Sequence, residues 1–256
     1  MKITSYKEGT PSWIDLGTPD VPTAVAFYSG LFGWIGNDGP PEAGGYVICN
    51  LGDEPVAGIG PFMGEAQPSV WSTYFAVDAL DDTAARVEKA GGQVLMPPMD
   101  VMDAGRMGVF MDPSGAIFGA WQKITFGGAG VANEPGALTW NELMTRDVEG
   151  SKAFYGAVFG LDTKVSEMSP DIPYTEWLVG DASVAGMMTL DMPQFPPDLP
   201  SHWMVYFAVA DIKASAAKAA ELGGTISVPP TEIPIGTFAV VADPGGAFFS
   251  MIQMAG

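Results

Sequence analysis

An internal repeat constrains the fold of this 256-residue chain more than any other feature. The segments 13–34, WIDLGTPDVPTAVAFYSGLFGW, and 140–161, WNELMTRDVEGSKAFYGAVFGL, are identical at ten of 22 positions without a gap. Further matches follow in the same order, about 130 residues apart: WSTYFAV with WMVYFAV, GGQV with GGTI, and DPSGA with DPGGA. A long, constant period predicts two copies of one structural unit.

The repeat also predicts the domain organisation. We expect one domain over residues 1–123, a linker over 124–136 and a second domain over 137–256. The linker prediction rests on the glycine-rich run that begins at Phe126 and ends at Gly136,. Each half then has an ordinary domain length of roughly 100–200 residues.

Within each half, one rhythm of elements occurs twice. In the first half, Asp20 is expected to cap a helix that Gly33 ends, and a second helix is expected over 81–90,. Apolar runs predict strands near 13–16, 46–51, 56–62, 71–77, 94–96, 106–111 and 116–122,. We therefore predict an α+β fold of four strand–helix–three-strand (βαβββ) units. Each half should form a curved sheet with helices on one face and a concave face left open for a ligand.

The charge balance excludes some classes of partner. Thirty acidic residues against eleven basic ones give a net charge of −19, which disfavours nucleic acid and anionic membrane surfaces,. No apolar run is long enough for a transmembrane helix, and the N-terminus does not resemble a secretory signal,. The single cysteine, Cys49, cannot form an internal disulfide,. We expect a cytoplasmic protein, either a monomer or a homodimer.

The alternation of side chains along the strands selects candidate site residues. In 203–209, every second residue is apolar and suits the helix-covered face, so His202, Met204 and Tyr206 should face the concavity. The same logic directs Tyr74 inward in the first half. Met204 and the two tyrosines could line a pocket for an aromatic ligand, or belong to ordinary core.

The opening strand of each half carries a tryptophan and an acidic residue on the same face. Trp13 shares a strand face with Asp15, and Trp140 shares one with Glu142. The indoles could stack on a flat ligand or simply fill space. The carboxylates could orient a ligand or act as a base if burial raises the pKa, or they could be solvated or paired structurally.

Two further residues are candidates because they are scarce. His202 is the only histidine, so it could be a general base or a lone metal ligand, or a plain strand-end residue,. Arg106 could pair with Asp15, fix a ligand carboxylate, or lie on the surface.

The order of these motifs resembles the vicinal-oxygen-chelate superfamily, which includes glyoxalase I, bleomycin-resistance proteins and extradiol dioxygenases. The resemblance is carried by a helix that contains Phe-Tyr and ends in Phe-Gly, by Phe-Ala-Val-Asp at 75–78 and by Asp-Pro-x-Gly near the end of each half. It extends over both halves and is similar in particular to tandem actinobacterial glyoxalase-like proteins, a group that includes a mycobacterial culture-filtrate antigen. It implies cupped half-barrel domains.

The resemblance also implies where a divalent metal would be held. Enzymes of the superfamily use His, Gln or Glu on an opening strand and Glu on a closing strand. The corresponding positions here are Trp13, Ser72 and Gly119 in the first half and Trp140, Met204 and Ser250 in the second. These residue types do not form a ligand set for a hard cation. We therefore expect no cofactor, with one divalent metal ion as the alternative.

Three functions are compatible with the sequence. The first is a metal-free protein that binds a small molecule, aromatic in one interpretation, at a concave sheet face. The second is a metal-dependent glyoxalase-type lyase or dioxygenase, in which a register slip makes Asp15 or Glu142 a ligand. The third is a non-enzymatic interaction protein. The catalytic residues of an enzyme, if it is one, are unknown from the sequence.

Overall fold

A computed structural model of the chain describes residues 1–62, 68–166 and 174–255. The first half contains α1 (Val21–Phe32), α2 (Leu80–Lys89) and the strands β1 (Pro11–Gly17), β2 (Ile35–Asp38), β3 (Val47–Leu51), β4 (Glu54–Gly60), β5 (Val70–Ala76), β6 (Gln93–Val101), β7 (Gly105–Met111) and β8 (Ile117–Lys123). The second half contains α3 (Val148–Phe159), α4 (Ile212–Glu221) and the strands β9 (Leu138–Thr145), β10 (Asp162–Val165), β11 (Tyr174–Val179), β12 (Ala182–Thr189), β13 (His202–Ala208), β14 (Thr225–Ile233), β15 (Gly236–Ala242) and β16 (Phe248–Met254).

The strands form two open, mixed sheets of the same topology, which confirms the predicted fold class. The strand order is β2-β3-β4-β1-β5-β8-β7-β6 in the first sheet and β10-β11-β12-β9-β13-β16-β15-β14 in the second. The opening strands of the two units pair antiparallel in the middle, and each pairs in parallel with the last strand of its own unit. Four neighbouring strands therefore line the centre of each concave face.

Local signals in the sequence place the helices. Asp20 and Asp147 cap α1 and α3 by accepting a backbone N–H, and Gly33 and Gly160 end these helices in the left-handed conformation,. The strand β2 was not located from the sequence, because its residues are all exposed and show no alternation.

Both hydrophobic cores are shared between the two halves. One cluster combines α1 and its neighbouring strands with α4, β13, β15 and β16, as in the contact of Phe27 with Phe249. The other combines α2, β5, β7 and β8 with α3, β9, β11 and β12, as in the stacking of Phe75 on Phe159. Thus the first unit of each half packs against the second unit of the other.

Two tyrosine–aspartate hydrogen bonds tie the halves together. Tyr28 on α1 donates to Asp243 at 3.0 Å, and its hydroxyl accepts from the indole of Trp71 at 2.9 Å. Tyr155 on α3 makes the equivalent bonds with Asp112 and Trp203. Asp112 and Asp243 are the aspartates of the two Asp-Pro-x-Gly turns, so each turn of one half is held by a helix of the other.

This packing turns the concave faces outward. The strands β5 and β13 meet in the middle of the molecule. Beside this contact, Thr73 on β5 donates to Asn141 on β9, the neighbour of β13, at 2.8 Å. Both helix-bearing sheet faces are therefore directed inward, and the opposite faces are directed away from the shared core. Within the described ranges, no helix combines the length and the apolar character needed to cross a membrane.

We expect Tyr28→Phe and Tyr155→Phe each to lower the free energy of unfolding by about 1–3 kcal/mol, because each leaves a buried indole N–H without its partner and takes one hydrogen bond from a buried carboxylate,. Urea denaturation measures this. Tyr6→Phe is the matched control, since the Tyr6 hydroxyl is only part-buried and donates to a single carbonyl, that of Ala129. A Tyr28→Phe loss no larger than that of the control would contradict the structural role of these bonds.

Candidate functional site

Each concave face carries a cluster built around one carboxyl group. We call the two concave faces the first cup and the second cup. The first-cup cluster consists of Trp13, Asp15, Tyr46 and Tyr74, and the second-cup cluster consists of Trp140, Glu142, Tyr174 and Tyr206. The sheet register brings them together, because Trp13 lies opposite Tyr74 and Trp140 opposite Tyr206 on neighbouring strands.

In the first cup, a chain of hydrogen bonds ends at Asp15. The Trp13 indole donates to the Tyr46 hydroxyl at 3.0 Å, and that hydroxyl donates to Asp15 at 3.4 Å. The Tyr74 hydroxyl also hydrogen-bonds Asp15. Burial raises the pKa of Asp15 to about 7, although the two hydroxyls oppose this by stabilising the anion,.

The second cup repeats this arrangement with a longer acid. The Trp140 indole donates to the Tyr174 hydroxyl at 2.8 Å, and Tyr206 donates to Glu142 at 2.9 Å. Tyr174 also hydrogen-bonds Glu142. The Glu142 side chain is 4% exposed, and burial raises its pKa above the ordinary value,. Asp15 and Glu142 thus belong to two separate sites, one in each cup.

The two cups differ in what covers the cluster. Trp13 and Tyr74 are buried in a small cluster that also contains Trp121, Ala129 and Phe126. The concave face of the second sheet keeps several partly exposed apolar and aromatic side chains, namely Trp140, Tyr174, Met204, Tyr206 and Phe238. The Trp140 and Tyr206 side chains of the second cup are therefore more exposed than Trp13 and Tyr74 of the first, whereas Glu142 is more buried than the partly exposed Asp15.

The donor atoms in the cups do not fit a divalent metal ion. Each cluster offers one carboxyl group, surrounded by indole N–H and phenol groups. Burial raises the pKa of Tyr74 and Tyr206 well above 10, so these phenols stay protonated and are poor ligands,. In the parts of the chain that the structure describes, no three His, Cys, Asp or Glu side chains lie close enough together to hold a metal ion.

Glycines on the last strands of the units explain how the tyrosine rings fit. A Cβ atom built on Gly58 would lie 1.7 Å from the Tyr46 hydroxyl, and one on Gly186 would lie 1.8 Å from that of Tyr174. A Cβ on Gly119 would lie 2.2 Å from the ring of Tyr74. In the first cup, the Tyr74 ring therefore fills the space that a glutamate at Gly119 would need.

Arg106 lies outside both clusters, so the considered pairing with Asp15 is wrong. Its guanidinium forms ion pairs with Asp81 at 2.6 Å and with Asp100 at 3.1 Å. Its cross-strand neighbour Gln122 accepts from the first backbone N–H of α2. Arg106 therefore projects from the helix-covered face of the first sheet, whereas Asp15 lies on the opposite face.

The predicted residues of β13 follow the expected alternation. Trp203, on the helix side, is buried, whereas His202, Met204 and Tyr206 are partly exposed. His202 lies opposite Met144, its Nδ1 is 2.8 Å from the carbonyl oxygen of Pro200, and burial lowers its pKa. It shares no hydrogen bond with Glu142 among the described contacts.

Sequence reasoning missed Tyr46, Tyr174 and Phe126. Tyr46 and Tyr174 lie at equivalent places just before or at the start of a strand, so aligning the two halves beyond the first helix could have found them. Phe126 lies in the predicted linker. That segment does connect the halves, but it also packs over the first cup.

Comparison with known proteins places these features in context. The profile of the Glyoxalase/Bleomycin resistance protein/Dioxygenase superfamily matches residues 10–119 and 121–251. The protein CFP32 of Mycobacterium tuberculosis is 45% identical over 260 residues, which cover 99% of this chain and 98% of that protein. The anthracycline biosynthesis protein DnrV of Streptomyces peucetius is 38% identical over 270 residues, covering 98% of this chain and 96% of DnrV.

Solved structures with the same fold are more distant in sequence. The Mn(II)-bound glyoxalase from Novosphingobium aromaticivorans superposes with a TM-score of 0.67 at 15% identity, covering 96% of this chain and 82% of that one. The 2,3-dioxygenase LapB from Pseudomonas sp. KL28 has the same TM-score and identity, with coverages of 99% and 94%. These likenesses confirm the predicted fold.

We expect Asp15→Asn to become more stable relative to the wild type as the pH rises. Below about pH 4 the Asp15 carboxyl is protonated in both the folded and the unfolded chain. Between its ordinary pKa of 3.8 and about 7, the unfolded chain loses this proton and the folded chain keeps it, so the wild type loses stability with rising pH and levels off above that range. The relative gain of the variant should be roughly 4 kcal/mol, at ~1.4 kcal/mol for each unit of pKa difference,.

Urea denaturation of both proteins between about pH 4 and pH 8 tests this expectation. Asp20→Asn is the control of opposite sign, because hydrogen bonds from Thr23 lower the pKa of Asp20. Its contribution is lost as the pH falls. Parallel pH profiles for Asp15→Asn and the wild type would show that Asp15 is not buried as a neutral group.

Proposed function

Since this chain belongs to the glyoxalase/bleomycin resistance protein/dioxygenase superfamily, we propose that it binds a small, planar aromatic molecule in the second cup, without a metal ion. One observation carries the proposal: the buried Glu142 carboxyl group, held by the Tyr206 hydroxyl, lies on a sheet face whose Trp140 indole is still partly exposed.

The lining of the second cup favours a flat apolar ligand. Trp140 and Phe238 present ring surface, and Met204 presents a thioether that adapts to varied apolar shapes,. Met204 lies opposite Glu142, so apolar and polar groups are adjacent on this face. Such a combination suits a ligand with an aromatic body and one polar substituent.

Electrostatics favours a neutral or positively charged ligand. Two tyrosine hydroxyls orient the Glu142 carboxyl group. Burial keeps it protonated to a higher pH than usual, so it can donate a hydrogen bond to a ligand carbonyl or accept one from a hydroxyl or ammonium group,. The net charge of −19 attracts cations and repels anions at long range,.

The relatives support an aromatic ligand class. DnrV and the 38% identical DauV of Streptomyces sp. (strain C5) are both named anthracycline biosynthesis proteins. We propose that this chain also binds an aromatic ligand of that kind, with fused flat rings and polar substituents. The names of other relatives and neighbours point instead to a glyoxalase or a dioxygenase. Against a metal-dependent activity of that kind, each cup of this chain offers a single carboxyl group.

We expect protein dialysed against EDTA to bind hydroxylated anthraquinones saturably, at one site per chain. At a ligand concentration 100 times the dissociation constant, binding should raise the free energy of unfolding by about 2.7 kcal/mol. Isothermal titration calorimetry and thermal unfolding measure the affinity and the stabilisation. Glu142→Gln should weaken binding at least tenfold, because the amide replaces an oriented carboxyl group by a different donor–acceptor pattern.

Asp15→Asn is the matched control, since it makes the same change in the covered first cup and should leave the affinity unchanged. Equal losses in the two variants would contradict a site in the second cup. Binding or turnover that appears only after Mn²⁺, Fe²⁺, Ni²⁺ or Zn²⁺ is added would support the metal-dependent alternative. Failure of every compound to bind would favour the interaction-protein alternative.

A further inference from the structure

The first cup holds an aromatic ring that belongs to the chain itself. The Phe126 ring meets the Trp13 indole edge to face, with centroids 4.9 Å apart and planes at 87°. It meets Trp121 in the same way at 6.0 Å and 80°. The ring thus lies against the indole that belongs to the Asp15 hydrogen-bonded cluster.

Several hydrogen bonds fix the segment that carries this ring. The Trp121 indole donates to the Phe126 carbonyl at 2.8 Å, and the Phe126 N–H donates to the carbonyl of Ala104 at 3.0 Å. Three residues further along, Ala129 donates to Ser12 on β1 at 2.8 Å and accepts from Tyr6 at 2.8 Å. The position of the Phe126 ring is therefore set from both sides of the cup.

The second cup has an equivalent hydrogen-bonded cluster, but nothing equivalent to Phe126 lies against it among the described residues. Trp140 makes the same indole-to-tyrosine hydrogen bond as Trp13, and Glu142 has the same pair of tyrosine partners as Asp15. Among the described residues, however, no aromatic ring packs against Trp140. Trp140 remains partly exposed, whereas Trp13 is 4% exposed.

We infer that Phe126 occupies in the first cup the place that a ligand ring takes in the second cup, so that the second cup binds one uncharged aromatic ring edge to face against Trp140. This inference rests on the proposed function and adds to it the position and the chemistry of the ring. A benzyl group is neutral and monocyclic, so the subsite fits a single six-membered ring or the terminal ring of a fused system. The polar substituent of the ligand then lies toward Glu142.

A fluorinated ring of the size of the Phe126 side chain tests the inference. We choose 4-fluorophenol and follow its binding by ¹⁹F NMR in the wild type, Trp140→Leu, Phe126→Ala and Phe126→Leu. The wild type should bind one equivalent, and Trp140→Leu should weaken this binding at least tenfold. Phe126→Ala should bind a second equivalent in the space that its ring leaves, and the probe should recover part of the melting temperature that this variant loses.

The controls separate this inference from the proposed function. Phe126→Leu keeps the first cup filled and should bind one equivalent only. If Phe126→Ala does not fold, Phe126→Val leaves a smaller space and takes its place in the titration. A folded Phe126→Ala or Phe126→Val protein that binds no second equivalent would overturn the inference, as would anthraquinone binding that persists unchanged in Trp140→Leu. Either result would leave the proposed binding site in the second cup unaffected. If no compound binds the wild type, both proposals are wrong.

Discussion

The structure depends on the need to bury the helix-bearing face of each sheet. Neither half covers this face alone, because every large apolar cluster under the helices combines side chains of both halves. Packing the first unit of one half against the second unit of the other closes both clusters at once. The tyrosine–aspartate bonds of Tyr28 and Tyr155 then fix the relative position of the halves. As a consequence, the two concave faces turn away from the core.

The sequence predicts most of the fold, but it does not predict that each unit packs against a unit of the other half. The repeat and the alternation of apolar residues identify the units, most strands and the face that is buried. Alternation says that Phe207 is buried but not that Phe32, from the other half, packs against it. The Asp-Pro-x-Gly motif is recognisable as a turn, yet the bond from Asp243 to Tyr28 spans 215 residues and leaves no local signal. The exposed strand β2 gives no periodic signal at all.

In the candidate site, too, the periodicity of the sequence predicts some residues, and only the tertiary structure identifies the others. A period of two places Trp13 with Asp15 and Trp140 with Glu142, and cross-strand register adds Tyr74 and Tyr206. Tyr46 and Tyr174 lie outside these strands, so the period of two does not select them, and only an alignment of the two halves does. The sequence leaves the position of Arg106 open, because its strand pattern does not decide which face it lies on. In the structure it lies on the helix-covered face, where the acidic Asp81 at the start of α2 compensates its charge,.

In the first cup, a carboxylate on the last strand and the tyrosine ring beside that strand exclude each other. A glutamate at Gly119 would collide with Tyr74, and a side chain at Gly58 would collide with Tyr46. A carboxylate at Gly119 therefore requires the Tyr74 ring to leave, and removing that ring takes from Asp15 one of its two hydroxyl partners. Each substitution alone is costly, because it creates a steric overlap or removes a hydrogen bond from a desolvated acid. The hydrogen-bonded cluster in the first cup thus takes up the space that such a carboxylate would need. In the second cup, the ligand that we propose would be recognised by ring surface and one oriented carboxyl group.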